Sequence, residues 1–212
     1  MGRGSSGANL GGGGGGINPA NINNVRDLVS AREGQQSEVD SVLTVARGIH
    51  EEYGVDVGQF VLADIGGKDA LTMAYSDGEN IGFNSRYFNG ARMEQAYDDC
   101  VKSGFHPSRG NKTAIEAVAS HEYGHVLTEK VAQKLGMSGP NSMDSASKTI
   151  VDRAVKNTKH RGSVNLAKKI SGYATHSNAE CVAEAVADVY CNGRNARAES
   201  RAIVDTMNSM LR

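Results

Sequence analysis

The chain has few cysteines, no long apolar run and no excess of charge of either sign. Three cysteines in 212 residues are an odd, small number, which excludes a disulfide framework and indicates a reducing compartment. Because no run of 18 apolar residues is present, we expect no membrane span and no membrane partner. The formal net charge of −1 leaves no basic block that would indicate nucleic acid as a partner.

The N-terminus also lacks the apolar segment of a secretory signal peptide. Nine of the 26 glycines lie within residues 1–16, and this low-complexity composition predicts a flexible leader over residues 1–23. A single domain is expected over 24–212. Without a signal peptide, the expected location is the cytoplasm of a bacterial host or a virion, since the leader and the general layout resemble tailed-phage or prophage gene products.

Apolar spacing and turn residues predict an α+β fold, in which one helix and a small sheet precede a mostly helical remainder. A helix is predicted from Ser37 to a stop at Gly54. Residues 57–65 predict a strand, and residues 70–88 predict two strands around a turn. Further helices are predicted over 91–104, 111–136, 143–170, 178–190 and 196–211.

The motif that carries chemistry is His121-Glu122-x-x-His125, in the middle of one predicted helix. Two histidines four positions apart share a helix face and can reach one zinc ion, which accepts imidazole nitrogen. Glu122 can approach the water on such an ion without binding the metal, and can exchange protons with it. Two solvated histidines on an ordinary helix are the alternative. Gly124 costs about 1 kcal/mol in a helix interior, which favours a buried site closely approached by another element.

A catalytic zinc ion needs a third protein ligand, and no further histidine follows His125 at a suitable spacing. Glu180, Glu184 and Asp188 are candidates because they lie four residues apart on one face of a helix rich in small residues. His176, just before that helix, is another. A merely solvated acidic stripe is the alternative interpretation.

The stretch SGYATHSNAECVAEAVADVY resembles the distal motif of glutamate-ligand zincins (gluzincins) of the anthrax lethal factor and Pro-Pro endopeptidase type. Those metallopeptidases carry a tyrosine seven residues before the glutamate ligand, followed by a helix with the pattern Glu-x-x-Ala-Glu. Here the pattern falls on Tyr173, Glu180, Ala183 and Glu184. The resemblance covers about residues 113–192.

The resemblance implies a zincin-like α+β domain: a small twisted, mostly antiparallel sheet packed on the histidine helix, then a mainly helical C-terminal half. The Zn²⁺ ligands that it implies are His121, His125 and Glu180. It further implies that Glu122 is the general base and acid, and that Tyr173 donates its hydroxyl to the oxyanion. Glu184 would orient a histidine ligand by accepting its other N–H.

On this interpretation the domain comprises a helix and sheet over 24–112, an active-site helix over 113–135, a helical insertion over 137–172, and the glutamate-ligand and C-terminal helices over 173–212. The insertion would shape the substrate cleft or bind a partner. The predicted function is a zinc-dependent endopeptidase acting on a protein or peptide. The alternatives are a non-catalytic virion or toxin-associated protein that retains a zinc-binding scaffold, and a metallohydrolase acting on cell wall or another amide.

Other residues receive weaker assignments. Residues 78–90 could form a sheet edge along which a peptide lies, with an ordinary hairpin strand as the alternative. His50 and His106 are predicted to lie on the surface, and His160 to be solvated in a basic patch. Cys181 is predicted to be a small buried apolar side chain.

Overall fold

The computed structural model describes residues 18–28 and 34–212, and over these ranges the fold is α+β and mostly helical. The strands are β1 (Ile22–Asp27), β2 (Phe60–Ile65), β3 (Ala74–Ser76) and β4 (Ile81–Asn84). The helices are α1 (Gln36–Tyr53), α2 (Gly90–Lys102), α3 (Ala114–Lys134), α4 (Ser142–Lys156), α5 (Ser163–Ile170), α6 (Asn178–Asn192) and α7 (Ala198–Leu211). Within these ranges, no helix is long and apolar enough to cross a membrane.

The four described strands form one mixed sheet in the order β1-β2-β4-β3. The pairs β1–β2 and β3–β4 are antiparallel, whereas the central pair β2–β4 is parallel. The predicted turn lies between β3 and β4, where the Asp77 carboxylate accepts hydrogen bonds from the backbone N–H groups of Glu79 and Asn80. Two of the three pairs are therefore antiparallel, in agreement with the predicted mostly antiparallel sheet, and the parallel central pair makes the sheet mixed.

The position of β4 between β2 and β3 decides between two interpretations of residues 78–90, an open sheet edge and an ordinary hairpin strand. The hairpin strand is correct, because β4 pairs antiparallel with β3 and every residue of β4 is buried between its two neighbours. Among the described strands, β3 is the edge strand on that side of the sheet.

The first strand begins inside the stretch predicted as leader. Ile22 and Asn23 pair with Ile65 and Asp64 of β2, so the sheet includes the last two residues of the predicted leader. The strand is mostly polar and exposed, and an irregularity interrupts its register beyond Asn23, which is why its sequence lacks the alternation of a half-buried strand. The rest of the predicted leader, residues 1–17, lies outside the described residues.

The helix ends follow the local sequence signals. The hydroxyl of Thr113 accepts a hydrogen bond from the backbone N–H of Glu116 (3.1 Å), and the Glu116 carboxylate accepts one from the N–H of Thr113 (2.9 Å). This reciprocal capping box begins α3. Gly54 ends α1 in the left-handed conformation, with φ of 63°. The predicted helical stretch 143–170 forms the two helices α4 and α5.

Helix α3 is the centre of the fold. Every side chain from Ala114 to Thr128 is buried, because α3 packs against α1, α2, β3, β4, α4, α6 and α7. The approach of α6 is especially close, since a Cβ atom on Gly124 would lie 2.6 Å from Cα of Ala183. The close approach predicted from this helix-interior glycine is therefore confirmed, and it brings the two motif-bearing helices together.

Candidate metal centre

Helices α3 and α6 bring His121, His125 and Glu180 together at their crossing. One ligand atom from each of the three lies within 4.8 Å of the others, and all three residues are buried. Glu180 Oε2 is 3.1 Å from His121 Nε2 and 3.6 Å from His125 Nε2. Glu180 is fixed in the first turn of α6, where its backbone N–H donates to the Ser177 hydroxyl at 3.1 Å. A shared helix face thus supplies the two histidines, and a capped helix start supplies the carboxylate.

The residues of this group suit a zinc ion. Two imidazoles and one carboxylate are a donor set of catalytic zinc sites. In the described part of the chain, both ring nitrogens of His125 and both carboxylate oxygens of Glu122 are buried without a hydrogen-bond partner. Buried polar atoms nearly always have a partner, bound water or ions included. These four atoms lie on the two residues that a metal and its water would be expected to engage.

The histidines of the group differ in protonation. Burial lowers the pKa of His125, which favours the neutral imidazole that a metal requires. Burial would also lower the pKa of His121, but its hydrogen bonds with Glu180 and Glu184 outweigh this and raise that pKa to about 10. Burial alone would raise the pKa of Glu180, yet the neighbouring histidines hold it below its usual range. Without a metal, His121 and Glu180 therefore form an ion pair.

Glu122 has a strong tendency to keep its proton. Burial raises its pKa well above the usual range, and the charge on His121 offsets only part of this effect. The side chain is fully buried. A carboxyl group with a raised pKa holds a proton more strongly than usual and is a candidate for proton transfer.

Tyr173 lies beside the ligand set in a short 3-10 turn, Tyr173–Thr175. Its ring centroid is 5.9 Å from that of His121, and its hydroxyl is hydrogen-bonded to Glu180. Burial raises the pKa of Tyr173, which keeps the hydroxyl protonated as a donor. The turn is anchored by backbone hydrogen bonds from the N–H groups of Gly172 and Tyr173 to the carbonyls of Gly104 and Phe105, each 2.9 Å.

Glu184 contacts a histidine of the group, as its expected orienting role requires. Its Oε1 lies 2.9 Å from His121 Nδ1, and its Oε2 accepts a hydrogen bond from the Ser171 hydroxyl at 2.6 Å. A second imidazole, that of His106, also meets Oε1, at 3.0 Å. Burial would raise the pKa of Glu184, but the charges and hydrogen bonds of the two histidines hold it far below its usual range.

His106 was wrongly predicted to lie on the surface. It is only 2% exposed, because the backbone pairing of residues 104–105 with residues 172–173 folds its loop against α6. No local periodicity marks this residue. The available signal was chemical: a carboxylate oxygen can accept more than one hydrogen bond, so Glu184 had room for a second imidazole donor.

The remaining histidine and cysteine predictions had mixed outcomes. His50 is exposed, as predicted, and Cys181 is buried, as predicted. His160 is not a solvated residue of a basic patch, since it is half-buried and its Nε2 lies 2.7 Å from a carboxylate oxygen of Glu199.

Two alternative candidates for the third ligand lie apart from the group of donors. The Asp188 carboxylate accepts hydrogen bonds from the Ser200 hydroxyl (2.6 Å) and the backbone N–H of Arg197 (2.9 Å), so it fixes the start of α7. His176 is exposed and packs on the Tyr173 ring, with centroids 4.9 Å apart. Of the candidates, the structure places Glu180 against both histidines of α3.

Comparison of this chain with models of protein families, with curated proteins and with solved structures found no match in any of the three. The interpretation of the centre therefore depends on the residues themselves and on their geometry.

Proposed function

We propose that this chain is a zinc-dependent endopeptidase with a zincin-like catalytic centre. His121, His125 and Glu180 would hold the ion. The observation that carries the proposal is the state of Glu122: a fully buried carboxyl, next to a candidate ligand, whose oxygens lack hydrogen-bond partners in the described part of the chain. A structural zinc site uses four protein ligands and has no use for such a group, whereas three ligands are usual at catalytic sites.

The residues around the centre have the properties that peptide hydrolysis needs. Bound zinc would lower the pKa of water towards about 7 and polarise the scissile carbonyl. Once the charge of a bound cation has ionised Glu122, its carboxylate would take the proton of the attacking water and deliver it to the leaving amine nitrogen. Tyr173 keeps its hydroxyl proton and donates a hydrogen bond as negative charge develops on the carbonyl oxygen.

The position of β3 supports an extended peptide as substrate. This strand is at an edge of the described sheet and packs against α3. An extended peptide can add to such an edge through main-chain hydrogen bonds. A peptide on β3 would lie alongside the helix that carries Glu122, so we propose an unfolded or loop segment of a protein as substrate.

The substitution Glu122→Gln tests the mechanism, because it preserves the size of the side chain and removes the proton acceptor. Zinc should remain bound in a one-to-one ratio, while cleavage of a peptide library, followed by mass spectrometry, should fall about 10²–10⁴-fold. Glu129→Gln is the matched control, since Glu129 lies on the same helix and bonds to Ser142 instead. If the Glu122 variant cleaves peptides like the parent, or if the gently purified parent lacks zinc, the proposal is wrong.

A non-catalytic virion or toxin-associated protein is the second candidate. It is favoured by the complete burial of His121, Glu122 and His125, because a substrate can reach these side chains only if the structure opens. Such a protein would bind zinc and lose stability on chelation, yet the parent and the Glu122→Gln variant would be equally inactive on every peptide.

A further inference from the structure

One buried histidine belongs neither to the ligand set nor to the proposed chemistry. His106 lies between α2 and α3, and its Nδ1 is 3.0 Å from Glu184 Oε1. Its ring stacks on that of Tyr97, with centroids 5.3 Å apart and planes inclined by 10°. Tyr97 is itself buried, and its hydroxyl donates to the backbone carbonyl of Pro107 at 3.2 Å. The His106 ring is therefore held both in its plane and at its Nδ1 edge.

The carboxylate oxygen that His106 contacts also contacts a candidate metal ligand. Glu184 Oε1 is 2.9 Å from His121 Nδ1. An ionised carboxylate can only accept hydrogen bonds, so both imidazoles must direct an Nδ1–H group at it. His121 is then left with Nε2, which faces Glu180 at 3.1 Å, as the nitrogen that can bind a metal.

We propose that His106 is a positioning residue of the metal centre: its hydrogen bond to Glu184 Oε1 holds the carboxylate that directs His121 Nε2 towards the ion. The inference rests on the proposed function and extends it one residue beyond Glu184. Three donors, from His106, His121 and Ser171, fix the two carboxylate oxygens. With the His106 donor removed, a buried carboxylate would be under-solvated and free to rotate away from His121.

The backbone next to His106 anchors the turn of Tyr173, and a test of the His106 side chain must leave this backbone pairing intact. Residues 104 and 105 accept the hydrogen bonds that anchor the turn of Tyr173, and the rings of His106 and Tyr173 meet edge to face at 5.4 Å. Substitutions should therefore change only the hydrogen-bonding capacity of the side chain. His106→Asn keeps an amide N–H close to the position of Nδ1, whereas His106→Leu keeps apolar bulk without a donor.

The first measurement is zinc affinity, by competition with a chelator. We expect a loss of about 10–100-fold in the Leu variant, as for other groups that orient metal ligands, and a clearly smaller loss in the Asn variant. In a protein that already carries Glu184→Gln, His106→Leu should lower zinc affinity little further, because its effect on zinc affinity passes through Glu184. The matched control is His160→Leu, which breaks another histidine–carboxylate contact (2.7 Å, to Glu199) and should leave zinc affinity unchanged.

The second measurement needs no metal. In the metal-free parent and Asn variant, the His121 Nδ1 proton should be hydrogen-bonded, should exchange slowly with water and should give an NMR signal. In the metal-free Leu variant, that signal should be lost. If the Leu variant does not fold, His106→Gln replaces it, since its longer amide places the donor away from Nδ1 and should weaken zinc binding more than Asn does. A parent that binds no zinc would refute the proposed function, and the proton signal would still decide the role of His106. Unchanged zinc affinity, or an unchanged His121 proton signal, in the folded donor-free variant would overturn this inference.

Discussion

Replacing Gly124 with alanine should destabilise this protein, although alanine is the better helix former. In a helix interior, alanine is favoured over glycine by about 1 kcal/mol. At position 124 the new Cβ would lie 2.6 Å from Cα and 3.2 Å from Cβ of Ala183. The nearer atom is backbone, so the clash can be relieved only if α3 and α6 move apart. Overpacking of this kind costs typically about 1–3 kcal/mol, and occasionally more.

Gly48 provides the matched comparison. It also lies within a helix, α1, but a Cβ atom there would have no neighbour within 4 Å. Gly48→Ala should therefore raise the free energy of unfolding by up to about 1 kcal/mol. This helix-propensity contribution is common to both substitutions. The difference between the two variants isolates the clash, at about 1–3 kcal/mol. For a chain of this size, each kcal/mol shifts the Tm by about 2–4 °C.

The same clash should weaken the metal centre. His121 and His125 lie on α3 and Glu180 on α6, so any separation of the helices spreads the donor atoms. We expect Gly124→Ala to lower zinc affinity, while Gly48→Ala leaves it unchanged. Adding Ala183→Gly to Gly124→Ala should restore only part of the stability and part of the zinc affinity. It removes the contact with Cβ of Ala183 but not the shorter contact with its Cα.

The assay is thermal and denaturant unfolding of the metal-free proteins, followed by zinc competition with a chelator. If Gly124→Ala raises the Tm as much as Gly48→Ala does, the helices do not approach as closely as described. The ligand geometry proposed at their crossing would then also be wrong.

Two further predictions concern the centre directly. Because the pKa of His121 is raised to about 10 without metal, zinc must displace a proton from His121 at neutral pH, and zinc affinity should rise with pH up to about 10. Calorimetry in buffers of different ionisation enthalpy should detect the released proton. A zinc affinity independent of pH between 6 and 9 would contradict the assignment of His121 as a ligand. Tyr173→Phe should lower the rate of peptide cleavage about 10²–10³-fold through loss of one oxyanion donor, with zinc affinity little changed; a rate equal to that of the parent would remove Tyr173 from the mechanism.

The features that could be predicted from the sequence depend on neighbours along the chain. The capping-box spacing of Thr113 and Glu116 is a local signal for the start of α3, and Gly54 ends α1 as predicted. The glycine at position 124 indicated a close helix crossing because its cost in a helix interior needed a compensating contact. Each of these signals is complete within a few residues, so no knowledge of the tertiary fold was needed.

The features that could not be predicted depend on pairing between distant segments. The burial of His106 follows from backbone pairing of its loop with residues 172–173, and its partner Glu184 lies still further along the chain. Strand β4 has the local sequence of an ordinary hairpin strand, and only its parallel pairing with β2 makes it central rather than an edge. Strand β1 is mostly exposed and polar, so its sequence lacks the apolar alternation from which a strand can be predicted.

Charge balance within the centre explains why Glu122 should become a base only when a cation is present. Without metal, the lowered pKa values of Glu180 and Glu184 keep both ionised. The two negative charges are balanced by two imidazolium groups, His121 and His106. The pKa of His121 is raised to about 10. Burial would lower the pKa of His106, but the charge of Glu184 raises it to about 9. Glu122, with its pKa raised by burial, then stays protonated. When a divalent cation replaces the proton of His121, the buried group gains one positive charge, and ionisation of Glu122 restores neutrality. The site without metal would thus hold the proposed general base in its protonated form, and metal binding would supply the charge that allows it to ionise.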